Sequence, residues 1–219
     1  MSRRFATVAF LFVVLLSLSL GVGGTVPQEP CSMGTAFRGC RACGNATSLK
    51  GQKLNVLKNR DDAATDVKTL TIADIRKPSN NDTFDPNTQV EVTGYVASVE
   101  KGGFKEGCNC GKGYLRDIHI NVVAKASEKN KNRKFVIMEI SPRWQEKLGF
   151  DPSNYDAMLA AASTKFKNKW VTFRGWLLYD VFHESETEST NPGGPTNWRA
   201  TPWEVHPVTS FTVLAGPPL

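Results

Sequence analysis

Five stretches of this chain have strand patterns, four that alternate apolar and polar residues with a period of two and a fourth in order that is largely apolar, and one helical pattern lies between the third and the fourth. A period of two is typical of a β-strand, because successive side chains point to opposite faces of a sheet. The helical pattern runs from the start signal Asp151-Pro152-Ser153 through Ala162. The first expected strand starts at Gln89, and the other four cover residues 115–123, 135–140, 170–179 and 197–214.

This order of elements predicts a mainly β fold, namely a five-stranded Greek-key barrel of the OB type with its helix between strands three and four. Gly94 in the middle of the first strand fits such a barrel, because a glycine there permits a bend or a close backbone contact. Another small antiparallel barrel or sandwich with an inserted helix is the alternative. In the OB arrangement we expect strand one between strands two and four, with strand five reaching strand one from the other side.

The chain divides into three parts: a signal peptide at residues 1–24, an irregular N-terminal extension at 25–87, and the barrel domain at 88–214. The first part has basic Arg3 and Arg4, an uncharged apolar run and small residues up to Gly24, as secretory signals do. We therefore expect a secreted or periplasmic protein with no stable membrane insertion of the mature chain. An N-terminal membrane anchor is the alternative, because the apolar run is close to spanning length.

Net charge leaves the choice of partner open. Removing Arg3 and Arg4 from the formal net charge of +6 leaves +4. A mild positive excess permits an anionic partner without requiring one, since nucleic-acid-binding domains usually concentrate their charge in a patch.

The five cysteines have two interpretations. Cys40-x-x-Cys43 and Cys108-x-Cys110 could give four thiolates to a zinc ion. An exported protein favours disulfides instead. A bridge between Cys108 and Cys110 would be strained, so we expect one or both to pair with the N-terminal cluster, which includes Cys31, and to pin the extension to the barrel. The odd number leaves one thiol over, and the pairing cannot be deduced from the sequence.

Each of the three histidines lies in a short run with an acidic residue: Asp117-Ile118-His119, Asp180-Val181-Phe182-His183 and Glu204-Val205-His206. In the last run, strand alternation sends Val205 into the core and Glu204 and His206 to the opposite face. In a barrel that opposite face is the outside, where ligands dock. The same alternation places Asp117 and His119 on the outer face of the second strand.

Three interpretations of these runs remain open. In the first, His119, His183 and His206 bind a divalent metal such as zinc and activate water for hydrolysis. In the second, the histidines and acids form hydrogen bonds to a ligand while Trp and Arg side chains stack on a base or a sugar. In the third, each imidazole is fixed by a nearby carboxylate and has a structural role only.

The leading prediction is a non-enzymatic binding module that acts outside the cytoplasm on a nucleic acid, a saccharide or a protein. A metal-dependent hydrolase that uses a His and carboxylate site is the alternative, with zinc as its cofactor. We expect Trp198 and Arg199, just before the last strand, to make the main ligand contact. The candidate ligand-binding residues are Asp117, His119, Glu139, Arg143, Trp144, Asp180, His183, Trp198, Arg199, Glu204 and His206.

Several motifs carry a resemblance to a known family. They are LNVLKNR at 54–60, CNC at 108–110, RDIHI at 116–120, SPRW at 141–144, GWLLYD at 175–180 and NWRATPWEVHPV at 197–208. Over about residues 54–214 the chain resembles a family of exported bacterial OB-fold-like proteins of unassigned function. The resemblance implies an OB-type barrel and an exported protein, and it implies no particular reaction.

Overall fold

The structure is a computed structural model that describes residues 29–218. The predicted signal peptide at residues 1–24 lies outside the described residues. Within the described part, no helix is both long enough and apolar enough to cross a membrane. The strands are β1 (Lys68–Thr71), β2 (Gln89–Lys101), β3 (Ile118–Val123), β4 (Val136–Ile140), β5 (Trp170–Tyr179) and β6 (Trp203–Val213), and the helices are α1 (Leu49–Lys58), α2 (Ile72–Arg76), α3 (Pro142–Gln145) and α4 (Tyr155–Phe166).

Strands β2 to β6 close into a five-stranded barrel. Antiparallel pairs join β2 to β3, β3 to β4, β5 to β6 and β2 to β5, while β4 and β6 pair in parallel. Helix α4 lies between the third and fourth strands of the barrel. The predicted fold class, a mainly β OB-like barrel with a helix at this point, is confirmed.

One detail of the predicted topology is wrong. The last strand pairs with the third and fourth barrel strands and not with the first. The reason is that the first barrel strand, β2, already pairs with other strands along its length. Its initial residues pair with β1 and β5, and its final residues, from Tyr95 to Lys101, pair with β3.

Strand β2 bends where the sequence suggested it would. A Cβ atom on Gly94 would lie 2.3 Å from Val122 Cγ1, so only glycine allows the two strands to approach this closely here. The pairing register with β3 then shifts between Val96 and Ser98, as a β-bulge does. Together these features let one long strand contribute to two sides of the barrel.

The predicted alternation correctly separates the core face of the strands from the outer face. Ile118 and Ile120 of β3, Met138 of β4 and Val205 of β6 are fully buried in one apolar core. Helix α4 packs on this core through residues that include Phe166. The boundaries differ by a few residues: β3 begins at Ile118, β4 begins at Val136, and α4 runs from Tyr155 to Phe166 with Asn154 as its cap.

The N-terminal extension is more regular than predicted, because α1, β1 and α2 all lie within it. Two disulfides are present, Cys31–Cys43 and Cys40–Cys110, which confirms disulfides over a four-thiolate zinc site. The second bridge joins the extension to the loop between β2 and β3, as expected. The thiol left over is that of Cys108, which is buried.

Candidate functional site: a cleft on the outer face of the barrel

A cleft of about 880 Å³ lies on the outer face of the barrel. Its floor is formed by β3 and β4, and its walls by the loop at 102–117, the loop at 180–202 and helix α1. We call it the outer cleft. Its charged, thiol and aromatic lining side chains are Lys58, Glu100, Lys101, Glu106, Cys108, His119, Glu139, Asp180, Phe182, His183 and Trp198.

At the floor, one carboxylate bridges two imidazoles. Glu139 Oε1 lies 3.2 Å from His119 Nδ1, and Glu139 Oε2 lies 2.9 Å from His206 Nδ1. The same His206 nitrogen is 3.2 Å from Glu204 Oε1. Strand register explains the arrangement: His119 pairs with Glu139 across β3 and β4, and the parallel pairing of Met138 with Val205 places the next residues, Glu139 and His206, side by side.

Burial and neighbouring charges set the protonation of this cluster. Burial opposes the imidazolium of His206, but Glu139 and Glu204 outweigh it and raise the pKa of His206 to about 10. Burial likewise opposes the Glu139 carboxylate, yet His206 and His119 hold the pKa of Glu139 well below its usual value. Burial, with Glu106 next, raises the pKa of Asp117 well above its usual value. The burial and the charges of this cluster thus favour a charged Glu139 and His206 pair and oppose the charge of the neighbouring Asp117 carboxylate.

A second charged group fastens α1 to the barrel. Lys58 Nζ lies 2.5 Å from Asp180 Oδ2 and 3.8 Å from Glu204 Oε1. Arg199 Nη2 lies 2.9 Å from Glu204 Oε2 on the other side. Burial would lower the pKa of Lys58, but Asp180 and Glu204 raise it well above its usual value. Burial would raise the pKa of Asp180, but Lys58 and His183 hold it below its usual value.

Aromatic side chains form one wall and the mouth of the outer cleft. The Trp198 ring lies close to both His119 and His183, with ring centroids 5.6 Å apart in each case. The indole Nε1 of Trp198 donates a hydrogen bond to Glu186 Oε2 at 2.7 Å, which fixes the ring in place. Phe182 lines the mouth and is 62% exposed, so its ring is available to a ligand.

Five of the candidate binding residues line the outer cleft, namely His119, Glu139, Asp180, His183 and Trp198. The structure thus brings together side chains from two of the acid and histidine runs, from β4 and from the loop before β6. These five remain the predicted ligand contacts.

The other candidates are buried and do not line the outer cleft. Glu204 and His206 do face away from the core, but they are fully buried and not on an open docking face, because Arg199 and Lys58 cover Glu204 while Glu139 adjoins His206. Asp117 is fully buried as well.

The prediction that Arg199 makes a main ligand contact is wrong, because this side chain is also buried. Arg199 is fully buried and paired with Glu204, so a ligand cannot reach its guanidinium. Arg143 is bound to Asp61 at 2.9 Å, and Trp144 packs in the core. These three side chains have structural contacts instead.

The predicted three-histidine metal site is not formed. Within residues 29–218, two sets of His, Cys, Asp or Glu side chains bring ligand atoms within 4.8 Å of one another. One is Glu106, Cys108 and Asp117, and the other is Asp117, Glu139 and His206. His119, His183 and His206 are not such a set among these residues.

Sequence reasoning missed several lining residues, among them Lys58, Glu106 and Phe182. Lys58 belongs to the LNVLKNR motif, and Phe182 directly precedes His183, so the sequence contained a signal for both residues. Nothing in the chain order indicates that α1 folds over β3 and β4. Only the tertiary structure brings Lys58 to Asp180.

Comparison with family models, with curated proteins and with solved structures found no match for this chain. The resemblance to exported OB-fold-like proteins therefore stays a prediction.

Proposed function

We propose that this protein is a non-catalytic binding module whose outer cleft holds a saccharide. The observation that carries the proposal is the position of the cleft. OB-folds bind oligonucleotides and oligosaccharides on the face of their second and third strands, between the loop joining strands one and two and the loop joining strands four and five. The outer cleft lies on the corresponding strands, β3 and β4, between the corresponding loops.

The N-terminal extension narrows the outer cleft, which favours a compact ligand over a long nucleic-acid strand. Residues of α1, including Leu54, Asn55 and Lys58, form one wall of the outer cleft and narrow what would otherwise be an open groove. The volume of about 880 Å³ falls in the range of small-ligand sites. A short oligosaccharide fits such a space better than an extended nucleic acid.

The charged side chains of the outer cleft also favour a saccharide over a nucleic acid. Glu100 and Glu106 line the outer cleft, and their carboxylates would repel the phosphates of a nucleic acid, whereas Glu139 and Asp180 are paired with His206 and Lys58. Lys58, the main cation of the wall, is already paired with Asp180 at 2.5 Å. A neutral ligand does not meet this repulsion.

The chemistry of the lining suits a saccharide. Carboxylates accept hydrogen bonds from sugar hydroxyls, and an ammonium group or imidazole can donate to them. Trp198 and Phe182 offer flat apolar faces against which the C–H face of a sugar ring can pack. The cleft thus combines aromatic surfaces with many hydrogen-bonding groups in one place.

We further propose that the protein acts outside the cytoplasm, in the periplasm or as a secreted protein. Its two disulfides support this, because such bonds form and persist in oxidising compartments. The signal peptide at residues 1–24 and the family resemblance belong to the same proposal.

Titration of the purified protein tests the saccharide proposal. Neutral cello-, malto- and chito-oligosaccharides and a single-stranded oligonucleotide are added separately, and binding is followed by calorimetry and by tryptophan fluorescence. We expect at least one oligosaccharide series to bind with an affinity that does not change between low and high salt. Binding of the oligonucleotide alone, with an affinity that falls as salt rises, would contradict the proposal and indicate phosphate contacts.

A further inference from the structure

We propose that Asp117, Glu139 and His206 form a binding site for a divalent transition-metal cation of the zinc class, beneath the floor of the outer cleft. The ligand set differs from the three histidines that the sequence suggested. The proposal does not depend on what the outer cleft binds.

The three side chains converge from separate parts of the barrel. Asp117 immediately precedes β3, Glu139 lies on β4 and His206 lies on β6. Each offers a ligand atom, and these atoms all lie within 4.8 Å of one another. Tetrahedral zinc with bonds of about 2.1 Å separates its ligands by roughly 3.4 Å. Small side-chain shifts are therefore enough to enclose the ion.

Unpartnered buried atoms provide an independent indication of a ligand. Asp117 and His206 are fully buried, yet Asp117 Oδ1 and His206 Nε2 have no hydrogen-bond partner among the described residues. A buried polar atom without a partner is costly, and most buried polar atoms in native proteins are satisfied. A bound cation would satisfy the free oxygen of Asp117.

The local charge also favours a cation. A carboxylate oxygen of Asp117 lies within 4.8 Å of a carboxylate oxygen of Glu139, and one lies within 4.8 Å of a carboxylate oxygen of Glu106. A divalent cation is attracted to a position that several carboxylates approach together.

The surroundings resemble the outer shell of a metal site. Asn109 Nδ2 lies 3.3 Å from Asp117 Oδ2, His119 Nδ1 lies 3.2 Å from Glu139 Oε1, and Glu204 Oε1 lies 3.2 Å from His206 Nδ1. Such neighbours hold metal ligands in orientation in known sites. One imidazole and two carboxylates match zinc chemistry better than the all-oxygen sites of calcium or magnesium.

Zinc titration tests the site directly. The purified protein, with its disulfides formed, is stripped with a chelator and titrated with Zn²⁺ by calorimetry, and bound metal is counted by elemental analysis. We expect one Zn²⁺ per chain and a higher thermal unfolding midpoint with Zn²⁺ present. The Asp117→Asn variant should bind Zn²⁺ at least tenfold more weakly. The control Asp156→Asn makes the same change at an exposed carboxylate paired with Lys101, and it should bind Zn²⁺ as the unchanged protein does.

Two outcomes overturn the proposal. One is the failure of the unchanged protein to bind stoichiometric Zn²⁺, which decides the matter even if Asp117→Asn does not fold. The other comes from Co²⁺ in place of Zn²⁺: an intense sulfur-to-cobalt absorption would place the ion at Glu106, Cys108 and Asp117 instead. A cobalt spectrum without that absorption supports the nitrogen and oxygen ligands proposed.

Discussion

Glu139 Oε2 lies 2.9 Å from His206 Nδ1, and both side chains are almost completely buried between neighbouring strands β4 and β6. The other oxygen of the same carboxylate faces His119 at 3.2 Å. The Glu139 carboxylate therefore connects His119, on the floor of the outer cleft, with the buried His206 on the neighbouring strand β6. A change at Glu139 is expected to affect both the stability of the protein and the shape of the cleft.

Glu139→Gln should destabilise the protein by about 3 to 5 kcal/mol, because it removes one partner of a buried charged pair and leaves the other in place. Urea unfolding of the metal-free protein at neutral pH measures the effect. The control Glu146→Gln makes the same change in an exposed pair with Arg38 and should cost no more than about 1 kcal/mol. Equal losses in the two variants would argue against a special role for the buried pair.

Trp198→Ala should weaken saccharide binding by about tenfold or more, because stacking on an aromatic ring, as known for nucleic-acid bases, is worth roughly 1 to 3 kcal/mol. Trp198 lines the outer cleft, whereas Trp170 lies outside it and packs on Tyr95. Trp170→Ala therefore serves as the control and should leave the affinity unchanged. If both variants bind the oligosaccharide as the unchanged protein does, the ligand lies elsewhere.

Asp180→Asn should lower stability at pH 7 by about 3 kcal/mol, because it leaves Lys58 buried with one close partner fewer. The folded protein holds the pKa of Asp180 below its unfolded value of about 3.9, so its contribution is present above that pH and is lost as pH falls through the folded pKa. The gap between the two proteins should thus narrow below about pH 4. Urea unfolding from pH 7 to pH 3 measures it, and a gap that stays constant would rule out the ionised carboxylate as its source.

The two disulfides should differ in their contribution to stability. Cys40–Cys110 closes a segment of 70 residues and Cys31–Cys43 one of 12. Loop-closure entropy gives about 4 kcal/mol for the longer loop and about 3 kcal/mol for the shorter. Urea unfolding of the two double alanine variants tests the order. A larger loss on removing Cys31–Cys43 would show that local packing outweighs loop length.

The free thiol of Cys108 should react with iodoacetamide only after unfolding. Cys108 is buried, and burial raises the pKa of its thiol well above the usual value, so little reactive thiolate is present. Mass spectrometry before and after addition of denaturant counts the modified sites. Rapid modification of the native protein would mean that the wall of the outer cleft formed by the loop at 102–117 opens in solution.

The strand pattern determined the barrel, because alternation along a strand depends on neighbouring residues only. Val205 and Ile120 were assigned to the core on this basis, and both are fully buried. The same local rule sent Glu204 and His206 to the opposite face. It could not say that this face would be covered, because Lys58 and Glu139, which contribute to the cover, lie far away in the chain.

The contrast between Trp198 and Arg199 makes the same point. The two are adjacent in the sequence, and both were expected to contact the ligand. Trp198 lines the outer cleft, while Arg199 is fully buried against Glu204. The loop backbone decides which side chain turns outward, and no periodic pattern describes a loop of this kind.

The sequence by itself thus determined the barrel, the place of its helix, the presence of disulfides and five of the residues that line the outer cleft. The tertiary structure alone decided that Cys40 pairs with Cys110, that Lys58 reaches Asp180, and that His206 meets Glu139 and Asp117 rather than the other two histidines. Periodicity and turn chemistry act over a few residues and can be recognised along the chain. Contacts between residues that lie so far apart in the chain depend on how whole elements pack, and no local pattern records that packing.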